Sequence, residues 1–228
     1  MQAPGPMTSV SPEMLDKLPL VVVLDFDGTV TDKDIGDEVC DAFAPPAWRD
    51  IDAAWVRNEI SLPEAQRRMW AMVRATRAEA VAHARKVGHR RPGLGALLDA
   101  AAVRGGQIWL ASGGFDFYVE ALLDADAARF ARRYYNATRF VDGRIEVSFP
   151  HDALACDRCA VCKGVVCDLA RAAAARVVFV GDGSSDRCAV GRADALFAVH
   201  GGILDRHCAE IGATATRFRT LDEVAGRL

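Results

Sequence analysis

The sequence predicts an α/β fold, a doubly wound parallel sheet with a helical cap inserted after the first strand. Four short apolar runs, each followed by small or acidic residues, have the composition of strands buried on both faces of such a sheet. Helix-like segments lie between them, and this alternation is typical of βαβ units. The strands are predicted at residues 20–24, 108–111, 177–180 and 196–199, the helices at 115–123, 164–174 and 185–192, and a β-hairpin at Asp142-Gly143.

The interval between the first two predicted strands is too long for one crossover helix. Residues 35–90 have helical character throughout, and we predict that they form a separate helical cap domain. The core is then predicted to consist of residues 18–34 and 91–228. Two capping-box patterns mark helix starts inside the cap, Ser61 with Glu64 and Thr76 with Glu79.

Composition restricts the classes of function. The chain has 228 residues, of which 51% are hydrophobic and 26% charged, the balance of a globular protein with a sizeable core. A net charge of −3 without a basic tract argues against a nucleic-acid partner, and no apolar run is long enough to predict a membrane partner. Residues 1–17, rich in Pro, Gly and Ser, predict a disordered lead-in without the features of a secretory signal. We therefore expect a cytoplasmic location, with monomer and homodimer both open.

Acidic residues follow two of the predicted strands. Asp25 and Asp27 come directly after the first strand, and Asp182 and Asp186 follow the third in "GDGSSD". Ligands of open α/β sheets bind at the carboxyl ends of the strands, where these side chains would meet. Like charges placed close together need a cation or a proton between them, and Mg²⁺ prefers carboxylate oxygens. The sequence therefore predicts a magnesium site.

The other strand ends carry groups that suit a phosphate. "ASGG" supplies the Ser112 hydroxyl and the backbone N–H groups of Gly113 and Gly114, and "CKG" supplies the Lys163 ammonium. With these groups around a phosphate ester, Asp25 would attack phosphorus and Asp27 would act as acid and then as base. An EF-hand does not fit the position of Gly28, and a P-loop would need a Gly-Lys-Ser/Thr sequence.

Together the motifs "DFDGTVT", "SGGFD", "KG" and "GDGSSD" resemble those of the haloacid dehalogenase superfamily of phosphatases. In order and spacing they resemble its phosphoserine phosphatase-like branch, whose helical cap follows the first motif. The resemblance implies a Mg²⁺-dependent phosphatase that works through an aspartyl-phosphate. It implies that Asp25, Asp182 and the backbone carbonyl of Asp27 hold the metal, and that Asp186 supports the metal or Lys163.

Within this branch, "FAPPAW", "YYNATRF" and "FPH" before a Cys-rich run resemble the methionine-salvage phosphatases. These act on 2-hydroxy-3-keto-5-methylthiopentenyl-1-phosphate. In phosphoserine phosphatases a carboxylate that matches Asp34 holds the substrate ammonium. A cap arginine holds the substrate carboxylate, and here Met69 stands at that position, directly after Arg68. Phosphoserine and a specialised metabolite remain alternative substrates. A phosphotransferase, a dehalogenase and a non-catalytic binding protein are the alternative classes.

Three further features leave both a structural and a functional interpretation open. Met and Trp residues of the cap, Met69 among them, could line a site for an apolar substrate tail or simply form core. His151 could contact substrate or be structural. Cys156, Cys159 and Cys162 have the spacing of zinc ligands, with Cys167 or His151 as a fourth, or they are free thiols or form a disulfide.

Overall fold

The central sheet has seven strands in the order β4-β3-β2-β1-β5-β6-β7, and all pairs are parallel except β3 with β4. The structure, a computed structural model, describes residues 17–228, so the predicted lead-in lies outside the described residues apart from residue 17. The α/β, doubly wound prediction is confirmed. The strands are β1 (Leu18–Leu24), β2 (Gln107–Phe115), β3 (Arg132–Val141), β4 (Arg144–Ser148), β5 (Ala174–Gly181), β6 (Ala195–Val199) and β7 (Thr216–Phe218).

Strand β1 lies at the centre, and the chain extends the sheet on both sides of it. Successive β1 residues face opposite sides, so Val22 and Leu24 enter one hydrophobic cluster while Val21 and Val23 enter the other. Strands β2 and β5 pair with β1 on its two sides. The strand order therefore reverses at β1. A crevice at this point is the usual ligand site of such sheets.

Four helices fill the interval in which the cap was predicted. Asp34 caps the first, Ser61 caps the third, and Thr76 with Glu79 forms a complete capping box on the fourth. Two tryptophans of this region, Trp48 and Trp70, are 2% exposed.

None of the described helices is long and apolar enough to cross a bilayer. The helices are α1 (Ile35–Phe43), α2 (Trp48–Val56), α3 (Leu62–Trp70), α4 (Arg77–Val87), α5 (Leu94–Val103), α6 (Asp116–Leu123), α7 (Lys163–Ala173), α8 (Ile203–Ile211) and α9 (Leu221–Ala225).

The helix predicted at 185–192 is wrong in length and type, because the chain there forms only a 3₁₀ turn over Ser185–Ala189. The Asp186 carboxylate accepts hydrogen bonds from the backbone N–H groups of Asp182 (2.8 Å) and Gly183 (2.9 Å). These bonds hold the turn against the end of β5. Gly191 then takes a positive φ of 75°, and the chain turns towards β6.

Candidate active site

Three carboxylates converge where β1 and β5 end. One oxygen each of Asp25, Asp182 and Asp186 lies within 4.8 Å of the other two. Asp25 is 4% and Asp186 0% exposed. Gly28, at φ 77°, brings the loop after β1 so close to Asp182 that a Cβ on it would lie 2.3 Å from Asp182 Oδ2. A side chain at this glycine would push the Asp182 carboxylate away from the other two.

The Lys163 ammonium lies among these carboxylates. Its Nζ is 3.1 Å from Asp25 Oδ1 and 3.2 Å from Asp186 Oδ1, and it donates a hydrogen bond to Ser185 Oγ at 2.6 Å. The lysine is 1% exposed. Burial alone would lower the pKa of this ammonium, but Asp25 and Asp186 outweigh it and hold the pKa above its usual value. Lys163 is therefore a permanent buried cation.

One lysine does not balance three carboxylates, of which Asp25 and Asp186 are buried. Burial and the neighbouring Asp186 raise the pKa of Asp25 to about 7, against the opposing effect of Lys163. Burial and Asp25 raise the pKa of Asp182 well above its ordinary value. Asp186 Oδ1 is buried and makes no hydrogen bond besides its ion pair with Lys163. A hard divalent cation favours oxygen ligands and their ionised form, so this donor set fits one.

Asp27 points its side chain away from this group. Its Oδ1 accepts a hydrogen bond from the Ile35 N–H at 3.0 Å, and its Oδ2 accepts from the Tyr118 hydroxyl at 2.9 Å and from Ser112 Oγ at 3.3 Å. Burial raises the pKa of Asp27 well above its ordinary value, and Asp34 and Asp25 add to this effect. This environment therefore favours the protonated carboxyl over the ionised one more strongly than water does, which suits a general acid.

The "SGG" segment lies beside Asp27 at the end of β2. Ser112 is fully buried, and its Oγ accepts a hydrogen bond from the Gly114 N–H at 2.8 Å, so the hydroxyl orients Gly114 and Asp27 and does not line the cavity. A Cβ on Gly114 would lie 1.9 Å from the Tyr118 hydroxyl and 2.5 Å from Asp27 Oδ2. The Gly113 carbonyl accepts hydrogen bonds at 2.7 Å from the Gln66 and Asn136 amides.

A cavity of about 280 Å³ opens above these groups. Among the described residues, Lys163 is the only Lys or Arg in its lining. The lining residues contributed by the core are Asp25, Asp27, Gly113, Gly114, Phe115, Tyr118, Lys163, Asp182, Gly183, Ser184, Ser185 and Ile203, and those contributed by the loop after β1 and by helices α1–α3 are Asp34, Gly36, Asp37, Asp52, Trp55, Val56, Leu62, Gln66, Met69 and Trp70.

The predicted substrate residues divide into two groups. Asp34 and Met69 line the cavity. The structure does not bring Arg68 to the cavity lining: it is exposed on α3, because one residue along a helix turns a side chain by about 100° from Met69. His151 also lies outside the lining, where it packs edge to face on Tyr134 with the ring centroids 5.5 Å apart.

Several site residues have no motif that identifies them. Tyr118 follows "SGGFD" in the first turn of α6, and only the fold shows that its hydroxyl reaches Asp27. Gln66 lies one turn before Met69 and Asp37 one turn after Asp34, so helical periodicity alone would have indicated both. Asp52 has no such signal.

The predicted cysteine site is partly corrected. The sulfurs of Cys156 and Cys162 form a group with that of Cys188, all within 4.8 Å of one another, and this group does not include Cys159, Cys167 or His151. Cys167 is fully buried in the hydrophobic cluster on one face of the sheet. The structure therefore does not bring Cys167 or His151 into the group.

The sequence pattern of the haloacid dehalogenase-like hydrolases matches residues 22–190. The chain belongs to this family. A 2-hydroxy-3-keto-5-methylthiopentenyl-1-phosphate phosphatase of Geobacillus kaustophilus is 29% identical over 216 residues, which cover 92% of this chain and 95% of that protein. A phosphatase of the same name from Geobacillus thermodenitrificans is 28% identical and covers 93% of this chain and 96% of that one.

Solved structures of haloacid dehalogenase-like and related proteins share the fold. A phospho-aspartyl intermediate analogue of phosphoserine phosphatase superposes with a TM-score of 0.69 at 16% identity, covering 93% of this chain and 100% of that chain. A phosphoserine phosphatase from T. onnurineus gives 0.66 at 19% identity, covering 95% and 98%. The prediction of a phosphatase enzyme of the haloacid dehalogenase family is therefore confirmed.

Proposed function

We propose that this haloacid dehalogenase-like hydrolase is a Mg²⁺-dependent phosphomonoesterase of a small metabolite and works through an aspartyl-phosphate on Asp25. The observation that carries the proposal is the arrangement of charge at the floor of the cavity. Asp25 has the buried Lys163 ammonium and two further carboxylates around it, and burial raises the pKa of the nearby Asp27 carboxyl well above its ordinary value.

In the proposed reaction Asp25 attacks phosphorus, and the bond between phosphorus and the ester oxygen breaks. Asp27 gives its proton to the departing alkoxide, and Tyr118 and Ser112 hold the carboxyl in place for this transfer. Asp27, now ionised, takes a proton from water, which attacks phosphorus and releases phosphate and Asp25. Lys163 neutralises charge on Asp25 throughout.

Asp25, Asp182 and the Asp27 backbone carbonyl would hold Mg²⁺, with Asp186 in support. When bound, the ion supplies charge neutralisation that lets an anionic carboxylate approach a phosphate.

Metal-free protein is expected to lose stability as the pH rises from 5 to 8. Folding raises the pKa of the Asp25 carboxyl from 3.8 to about 7. This group therefore contributes its full stability below pH 3.8, and the contribution is lost as the pH rises through about 7. Mg²⁺ favours the ionised form, so its stabilising effect should be large at pH 8 and small at pH 5. Thermal unfolding followed by circular dichroism, with EDTA or Mg²⁺, measures both effects. Asp182→Asn should remove most of the Mg²⁺ effect, and a higher midpoint in EDTA at pH 8 than at pH 5 would contradict the assignment.

The cavity wall supports a substrate with an apolar tail and no carboxylate. Trp55, Leu62, Met69 and Trp70 supply apolar surface. Among the described residues the lining offers no arginine for a carboxylate, and Lys163 is paired with Asp25 and Asp186. We therefore propose 2-hydroxy-3-keto-5-methylthiopentenyl-1-phosphate, the compound after which the curated relatives are named. Its thioether tail would contact this apolar wall.

An amine-bearing phosphate ester is the second candidate, because three carboxylates line the same cavity. Asp34, Asp37 and Asp52 crowd one another, and burial together with Asp34 raises the pKa of Asp37 to about 8. A substrate ammonium would relieve this repulsion. Phosphoserine also brings a carboxylate, which would meet this acidic wall, so an amine without a carboxylate fits better.

Rates of phosphate release separate these candidates. We expect kcat/KM for the methylthio-enol phosphate to exceed that for phosphoethanolamine and phosphoserine, with Mg²⁺ required. Asp52→Asn should change the rate on the methylthio ester little, and it should lower any activity on phosphoethanolamine by about tenfold, because one charge contact is lost. Asp50→Asn, an exposed position on the same helix, is the matched control. A preference for phosphoserine would contradict both substrate assignments while leaving the chemistry intact.

A further inference from the structure

Four thiols from two segments of the chain meet beside the active site. The sulfurs of Cys156, Cys162 and Cys188 all lie within 4.8 Å of one another. Cys159 lies beside this group, since its thiol is the main cause that raises the pKa of Cys188 to about 11. Cys159 and Cys162 are 1% and 2% exposed, whereas Cys156 and Cys188 are half-buried. The proposed phosphatase reaction uses none of these thiols.

We propose that Cys156, Cys159, Cys162 and Cys188 form a structural tetrathiolate site for Zn²⁺. Zinc binds four thiolates tetrahedrally at about 2.3 Å, which places the sulfurs about 3.8 Å apart. Three of the sulfurs, those of Cys156, Cys162 and Cys188, already lie within 4.8 Å of one another and need only small side-chain adjustments to reach this geometry. Cys159, three residues from both Cys156 and Cys162, would supply the fourth thiolate. Four protein ligands leave no open position for substrate or water, so the site is structural.

The backbone of the loop is already shaped around the thiols. The Cys156 N–H donates to the Cys159 carbonyl at 2.9 Å, which closes a tight turn between two proposed ligands. The Cys162 N–H donates to the Leu154 carbonyl at 2.8 Å, and Cys162 is also the N-cap residue of α7. A thiolate is favoured at a helix N-terminus by the helix dipole. The turn and the helix start thus fix the backbone at Cys156, Cys159 and Cys162.

The proposed ion would join two segments that carry active-site groups. Cys162 directly precedes Lys163, and Cys188 lies two residues after Asp186. The two segments already pack closely, since a Cβ on Gly164 would lie 2.2 Å from the Cys188 carbonyl oxygen. A metal bond between them would fix the distance between the Lys163 ammonium and the Asp186 carboxylate, now 3.2 Å.

The same loop also contacts the helices that cover the cavity. The Arg158 carbonyl, between Cys156 and Cys159, accepts a hydrogen bond at 2.8 Å from the N–H of Leu62 at the start of α3. Helix α3 carries Gln66 and Met69 in the cavity lining. Zinc binding that orders the cysteine loop would therefore help to fix the position of α3 as well as that of Lys163, on both sides of the cavity.

Metal content tests the proposal without reference to catalysis. Protein purified without an affinity tag or added metal should contain about one zinc per chain, measured by inductively coupled plasma mass spectrometry. Growth with Co²⁺ should give the intense charge-transfer absorption of a tetrahedral cobalt tetrathiolate, which an oxygen site such as that around Asp25 does not produce. Both readouts use the wild-type chain, so they do not depend on whether a variant folds.

Variants then identify the ligands. Cys188→Ser should lower zinc content at least severalfold and remove the cobalt absorption, whereas Cys167→Ser should leave both unchanged. Cys167 is a matched control because it is buried on α7, close to the site but outside the group. Zinc loss from Cys167→Ser and not from Cys188→Ser would overturn the ligand set. Zinc far below one per chain in active wild type would overturn the site, whether the thiols are then free or joined in a disulfide.

Discussion

Asp25→Asn is expected to lower kcat by about four to six orders of magnitude, the usual effect of removing a catalytic nucleophile. The asparagine amide has the shape of the carboxylate but neither its charge nor its nucleophilicity, so no aspartyl-phosphate can form. Phosphate release from the preferred ester, with Mg²⁺ and with EDTA, measures the effect. The wild type should also show a phosphorylated Asp25 in rapidly quenched peptides, and the variant should not.

The fold should survive this substitution. The raised pKa of Asp25, about 7, means that its ionised form is disfavoured in the folded chain, so a neutral amide should not lower stability in EDTA. Asp32→Asn is the matched control, because this exposed acid lies on the same loop and outside the cavity lining. If Asp25→Asn kept activity within tenfold of the wild type, the nucleophile would have to be another residue.

Lys163→Met is expected to lower the free energy of unfolding by about 3–5 kcal/mol in EDTA at pH 8, because it leaves buried carboxylates without their cation. Methionine fills a similar volume but loses both ion pairs and the hydrogen bond to Ser185. The deficit should shrink at pH 5, where Asp25, whose pKa is raised to about 7, can take up a proton. Urea unfolding at the two pH values measures it.

The control for this prediction is Lys33→Met. Lys33 pairs with Glu38 at 2.8 Å, but its side chain is 49% exposed, so its removal should not change the free energy of unfolding measurably. If Lys163→Met matched wild-type stability at pH 8, the ammonium would not be balancing the carboxylates. Mg²⁺ should restore part of the lost stability, since it supplies a second source of positive charge.

The parts of the fold predicted correctly are those whose signal is local. Strand β1 is apolar throughout Leu20–Leu24 because these residues are buried on both faces of the sheet, and this pattern is visible without a structure. In a parallel sheet the strands end at the same edge, so the meeting of Asp25 with Asp182 follows from the fold class alone. Strand β7, only three residues long, has no comparable pattern.

The parts that were missed depend on packing between distant segments. Cys167 seemed a suitable zinc ligand because it is near Cys162 in sequence, yet inside α7 it faces the apolar cluster. Cys188 lies 26 residues after Cys162 and reaches it only because the 3₁₀ turn packs against the start of α7. The contact between Tyr118 and Asp27 similarly requires α6 to follow β2 at one particular angle. Sequence spacing does not encode such angles.

Gly114, Tyr118 and Asp27 fit together so closely that none of them can change alone. A methyl group at Gly114 would occupy the space of the Tyr118 hydroxyl, and a displaced Tyr118 would leave Asp27 Oδ2 without its 2.9 Å donor. In an evolving lineage an alanine at Gly114 would be acceptable only after Tyr118 had become smaller, and that step alone would already weaken the proton donor. Substitutions at these three positions should therefore occur together among descendants of this enzyme. A chain with only one of them would have a weaker proton donor and would be removed by selection before the second substitution arose.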